Sequence, residues 1–179
     1  MTYEPSDTIG ALTDAELATF LAAPWNGRLA TITPEGWPYV APVWYEFERD
    51  RRAFLVVGRE RAQWIAHIRV NPRVAFHVAD DLHAQHTRVQ VQAHARILEG
   101  PIAPAASPTL LELTHRLSRR YLGPDGPRYA EHTIERPRVL VRLEPVSWTT
   151  WTGREWPPRE ICQTARLIPS SGTRSCARR

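Results

Sequence analysis

Apolar and polar positions along the chain alternate in stretches that change period several times. Leu17, Phe20 and Leu21 repeat at helical spacing behind Thr13 and Glu16, a capping box with Leu12 and Leu17 placed as its hydrophobic staple. Pro24 and Gly27 stop this first helix. Period-two patterns follow. "RLATIT" and "YVAPVWYEF" flank the turn "PEGWP", and "AFLVV" follows across the polar turn "ERDRR". Such tight connections predict antiparallel strands, because parallel neighbours require a long crossover. Pro42 lies within the second of these strands and cannot donate to a ladder, which places it on an edge, at a bulge or at an interruption.

Helical spacing returns at Trp64, Ile65 and Ile68 and ends at Asn71-Pro72. "RVAFHVA" then reads as a strand with Val74, Phe76 and Val78 on one face. "TRVQVQAHARIL" is the cleanest alternation: Val89, Val91, Ala93, Ala95 and Ile97 share one face, and Arg88, Gln90, Gln92, His94 and Arg96 share the other. Ser107-Pro108 opens a third helix with the stripe Leu110, Leu113, Leu117 and Tyr121, and Gly123-Pro124 closes it. "RVLVRLEPVSWTTW" is the last strand. About six strands and three helices with short antiparallel connections predict a mainly β fold, a closed or partly closed barrel.

Composition changes this picture in three places. The 179 residues suit one domain with a core of its own. No apolar run approaches the roughly 18 residues of a membrane span, and "MTYEPSDTIG" lacks the pattern of a signal peptide, so a soluble cytoplasmic protein without a membrane partner is expected. The net charge of +4 comes from Arg166, Arg174, Arg178 and Arg179, with no acid beyond residue 160. The remaining 19 arginines balance the 19 acidic residues. A neutral domain argues against nucleic-acid binding, and residues 159–179 read as a basic, loosely ordered tail that also holds Cys162 and Cys176.

Candidate chemistry is sparse. The chain contains no lysine, which excludes a Schiff-base or lysine-base mechanism. No G-x-S-x-G is present, and both cysteines lie in the tail. His77, His83 and His86 with Asp80-Asp81 lack the spacing of a metal site, and this stretch reads as a polar turn. Arg59 and Arg61 stand where a strand ends, Gly58 turns the backbone and a helix begins. Free N–H groups beside arginine forks suit a phosphate, whereas a solvated turn with Glu60 pairing locally is the plainer alternative. Trp44 beside Pro42 suits either a flat ring pocket or the barrel core, and Trp148 and Trp151 share that ambiguity.

The segments "LATITPEGWPYVAPVWYEF", "FLVVGRERAQWIAHIRVNPRVAFHV", "RVQVQAHARILEG" and "RPRVLVRLEPVSWTTWTGREW" together resemble the flavin-binding split barrels of the pyridoxamine 5'-phosphate oxidase type, over residues 10–158. The resemblance implies a six-stranded antiparallel split β-barrel. It also implies a homodimer with FMN, or alternatively a deazaflavin coenzyme, at the subunit interface. Phosphate-holding positions would be Gly58, Arg59, Arg61 and Gln63, with Arg61 standing in for the lysine that many members carry. The ring would lie against Pro42, Val43 and Trp44, and the partner subunit would supply Gln90, Gln92, Trp148 and Trp151. The implied activity is a flavin-dependent oxidoreductase that moves a hydride to or from a small molecule through the cofactor, which explains why no catalytic dyad is visible. A non-catalytic flavin carrier is one alternative. A haem-binding barrel with His67, His77 or His94 as axial ligand is the other.

Overall fold

In the computed structural model, which describes residues 9–83 and 85–153, seven strands form one antiparallel sheet in the order β2-β1-β5-β6-β7-β4-β3. They are β1 (Gly27–Ile32), β2 (Pro38–Val43), β3 (Tyr45–Glu48), β4 (Ala53–Arg59), β5 (Arg73–Ala79), β6 (His86–Ile102) and β7 (Arg138–Gly153). Helix α1 (Asp14–Ala22) precedes β1, and α2 (Gln63–Val70) joins β4 to β5. Helices α3 (Pro108–Leu122) and α4 (Gly126–Glu131) lie between β6 and β7.

The expected six strands become seven because "YVAPVWYEF" divides at Trp44. Its first half pairs with β1 and its second with β4. β2 and β3 are thus the two ends of the strand order, yet one residue joins them along the chain. The sheet therefore curls until its edges meet at Trp44, which is a split barrel. Pro42 sits on β2, an edge strand of that order, where its missing donor does no harm.

Several local signals act as the sequence predicts. Thr13 caps α1, and its side chain and that of Glu16 satisfy each other's backbone N–H groups. Ser107 Oγ accepts from the Leu110 N–H to cap α3, and Gly123, at φ 84°, ends it in a conformation that favours glycine. Helix α4 carries no apolar stripe of its own. Its start is pressed so closely on α3 that a Cβ on Gly126 would lie 2.0 Å from the Ser118 carbonyl oxygen.

The core has two parts. Inside the barrel, Leu29, Tyr45, Phe54, Val56, Phe76, Val78, Val89 and Val91 pack against Phe20 and Leu21 of α1 and Trp64 and Ile65 of α2. Outside it, Leu110, Leu113 and Leu117 of α3 cover Leu55 and Val57 of β4 and Leu140 of β7. β4 is therefore buried on both faces, which is why "AFLVV" is apolar without alternation. Among the described residues, no helix covers the far side of the sheet. There Ile32, Val40 and Val146 are exposed beside Ala30, Ala75 and Gln92.

Candidate functional site

Where β4 ends and α3 stops covering the sheet, a cavity of about 400 Å³ opens. That size suits a small organic ligand, since such sites run about 300–1,000 Å³. One wall is the break in the barrel: Pro42, Val43 and Trp44. The Trp44 ring is held flat on Tyr121 of α3, with centroids 5.1 Å apart and planes 3° from parallel. The floor is Val57, Gly58 and Arg59, with Ala62 and Trp64 of the α2 entry. The opposite wall comes from Thr114 and Ser118 of α3, Tyr129 of α4 and Thr133 just beyond it, while Arg138 closes the end; the Thr114, Ser118 and Thr133 hydroxyls each donate to a backbone carbonyl.

Tertiary contacts hold these pieces in register. Gly58 is needed for space, because a Cβ there would fall 2.4 Å from the Trp64 ring. Ala62 is the N-cap of α2 and makes no side-chain cap hydrogen bond, and the first turn of the helix holds no acid. The start of α2, with its partial positive charge, therefore lies at the cavity end lined by Ala62 and Arg59. The local pairing of Glu60 with these arginines does not form: among the described residues neither Arg59, Arg61 nor Glu60 makes an ion pair.

The candidates from the sequence fall into four groups. Pro42, Val43, Trp44, Gly58 and Arg59 line the one cavity. Arg61 and Gln63 flank Ala62 in the turn and at the start of α2, without lining it. Gln90, Gln92 and Trp151 lie outside it on the uncovered sheet face, where Gln90 stands opposite His77, Gln92 opposite Ala75 and Trp151 opposite Arg88. Pro42, opposite Arg28, shares that face. Trp148 points the other way. It packs inside its own barrel on Phe54, with centroids 5.6 Å apart, and carries the Arg52 guanidinium over its ring.

The histidines are engaged elsewhere. The Nδ1 of His67, on α2, is 2.9 Å from Thr31 Oγ1, and the residue is buried. Burial, then Arg28, holds His77 below the usual histidine range. His94 is exposed beside the second hollow on the sheet face. Asp80 is buried and spends its carboxylate on the N–H groups of Leu82 and His83 and on the His83 ring, as a polar turn requires.

Sequence reasoning missed the α3–α4 wall and Arg138. Thr114 and Ser118 flank the leucine stripe of α3, so their proximity to a site was readable only once a cavity was known. Arg138 reaches the cavity through the pairing of β4 with β7, strands separated by most of the domain.

The family model for pyridoxamine 5'-phosphate oxidase matches residues 13–152. A 5a,11a-dehydrotetracycline/5a,11a-dehydrooxytetracycline reductase of Streptomyces rimosus is 38% identical over 66 residues, which is 36% of this chain and 46% of that protein. The match therefore spans less than half of that relative. Among solved structures, the conserved hypothetical protein Rv2991 of Mycobacterium tuberculosis aligns over 98% of this chain and 99% of its own, with TM-score 0.60 and 23% identity. An F420 reductase aligns over 73% of this chain and 94% of its own, with TM-score 0.54 and 24% identity. At such identities these structures speak for the fold, and the fold they share is the one described above. No helix among the described residues is long and apolar enough to cross a membrane. With the family model spanning nearly the whole barrel, the chain belongs to the pyridoxamine 5'-phosphate oxidase family of flavin-binding split barrels.

Proposed function

We propose that this protein is a flavin-dependent oxidoreductase acting on a small molecule, with FMN or a deazaflavin coenzyme in the cavity between the barrel break and α3. One observation carries the reading. A flat apolar wall, Pro42–Val43–Trp44, and an unpaired arginine at the uncapped start of a helix face one cavity of about 400 Å³. An aromatic ring system with a phosphate at one end fits that arrangement. When bound, the cofactor supplies the hydride chemistry.

The chain's own residues bind, orient and shield. Tyr121 keeps the Trp44 plane fixed, so the ring slot is formed before a ligand arrives. Arg59, Arg61 and the first N–H groups of α2 neutralise the phosphate. Leu117 and Ala130 exclude water from the far side. A carrier that binds flavin without turnover would need the same features, and the reductase among the relatives favours turnover. The haem reading has less support, because His67 is already tied to Thr31 and His94 lies away from the cavity.

We further propose a homodimer formed through the uncovered sheet face. Pro38, Val40 and Ile32 make it apolar, and Pro42, Gln90, Gln92 and Trp151 lie on it together. Packing two such faces brings the partner's glutamines toward the mouth beside Pro42, so the subunit interface and the cofactor site are one region. Val40→Glu is expected to give a monomer by sedimentation and to lose flavin affinity in parallel. A monomeric variant with unchanged affinity overturns the shared site.

The experiment that tests the main reading is titration of the purified protein with FMN and, separately, with the deazaflavin, followed by fluorescence and visible absorbance. Saturable binding of one at micromolar concentration is expected, and reduction of the bound form by a nicotinamide donor distinguishes an enzyme from a carrier. Arg61→Ala is expected to weaken binding about tenfold, the loss of one charge-assisted hydrogen bond, with the melting temperature unchanged. Equal binding by wild type and variant removes Arg61 from the site.

A further inference from the structure

The last rung of the β4–β7 ladder sets Arg59 directly opposite Arg138. Directly opposed residues of antiparallel strands carry their side chains on one face, and like charges there destabilise the pair. Further along the same face, Leu55 stands opposite Arg142, and that arginine has a partner: its Nε donates to Glu48 Oε2 at 2.7 Å. Arg138 has none. Among the described residues, neither it nor Arg59 makes an ion pair or a side-chain hydrogen bond.

The position of Arg138 sharpens the contrast. It is half-buried, and burial, then Arg59, then Arg136 lower its pKa from the ordinary arginine range, with Tyr129 acting the other way. Both arginines line the cavity together with Tyr129 and Thr133. Desolvating one guanidinium against another opposes folding, and a bound anion is what turns the pair into a favourable arrangement. Two rigid planar forks on adjacent strands also suit the several oxygens of one phosphoryl group.

We propose that Arg138 is a further guanidinium of the anion subsite, so that Arg59 and Arg138 clamp one phosphoryl group from adjacent strands. The identity of that group as the cofactor's rests on the flavin reading, while the clamp stands on the geometry of the pair. Tyr129, presented by α4, stands beside the clamp and offers its hydroxyl to the same anion.

The test uses the full chain and the variants Arg138→Gln and Arg142→Gln, the second changing a paired arginine on the same face. FMN and the deazaflavin coenzyme are titrated beside each chromophore stripped of its phosphate, and inorganic phosphate is followed by thermal shift. Arg138→Gln is expected to weaken the phosphorylated ligand ten- to a hundredfold and leave the phosphate-free chromophore unchanged. It is also expected to keep or raise the melting temperature of the ligand-free protein, because a like-charge contact is gone. Arg142→Gln is expected to lower that temperature and spare the preference for phosphate. Equal affinity of wild type and Arg138→Gln overturns the clamp, as does an equal loss for ligands with and without phosphate. If no chromophore binds wild type yet inorganic phosphate stabilises it through Arg138, the clamp stands and the flavin reading falls. If flavin binds and Arg138→Gln binds it as well, the reverse holds.

Discussion

Arg120→Ala is expected to destabilise the protein by about 3 kcal/mol, the scale for losing hydrogen bonds from a charged donor to partly buried carbonyls. Arg120 Nη2 donates to the carbonyls of Leu21 and Ala23 at 2.5 Å each. Both lie at the C-terminal end of α1, where carbonyls carry partial negative charge and α1 has no basic residue of its own; Leu21 O also accepts from the Tyr45 hydroxyl and Ala23 O from the Trp25 N–H. The guanidinium also lies 4.8 Å from the Tyr45 ring centroid and 5.3 Å from that of Tyr121, which adds cation–π attraction. Its neighbour Tyr121 donates to the Trp25 carbonyl and accepts from the Tyr45 N–H. Two consecutive residues of α3 therefore fasten α1, the barrel break and the stacked Trp44. For a domain of this size the expected fall in melting temperature is about 6–12 °C. Urea unfolding measures the free energy directly. Arg120→Lys keeps the charge but loses the fork, and an intermediate loss is expected. A loss below about 1 kcal/mol for alanine would mean that the Tyr45 hydroxyl, the Trp25 N–H and water satisfy those carbonyls as well as arginine does.

Gly58→Val is expected to reduce both stability and ligand affinity. The added carbons meet the Trp64 ring, whose Cζ2 would lie 2.4 Å from the Cβ, and Ile65, whose Cδ1 would lie 3.0 Å away. Ile65 is fully buried and Trp64 nearly so, and neither can swing into solvent. The cost of such overpacking is about 1–3 kcal/mol. Relief comes by displacing α2 from the end of β4, which separates Arg59 from the helix start and spoils the cavity floor. An affinity loss of about tenfold is expected, the scale of one lost charge-assisted hydrogen bond to the ligand. Calorimetry and cofactor titration on the same preparation separate this from Arg61→Ala, which weakens binding without moving the melting temperature. A valine variant that melts and binds like wild type would show that α2 has slack the packing does not reveal.

How much of this was legible beforehand varies by element. The capping box at Thr13, the Ser107 cap, the Asn71-Pro72 stop and the alternation along β6 each act within a few residues, and each is present as read. The division of "YVAPVWYEF" was not legible. Pro42 announced an interruption, but which neighbours the two halves choose depends on how far the sheet curls. Helix α4 was missed for a similar reason: its place is set by the close approach of Gly126 to α3, not by an apolar stripe.

The site divides along the same line. The placing of Gly58 and Arg59 before a helix start is local and readable from neighbouring residues, as are the family and the barrel class. That β2 and β3 meet at Trp44, that α3 and α4 roof the cavity, and that Arg138 faces Arg59 were decided by tertiary structure alone. Caps, turns and period-two faces depend on neighbours along the chain, so their signals survive in one dimension. Barrel closure and strand register bring together residues separated by most of the domain, and no local pattern encodes which of two exposed-looking arginines will meet the other across a ladder.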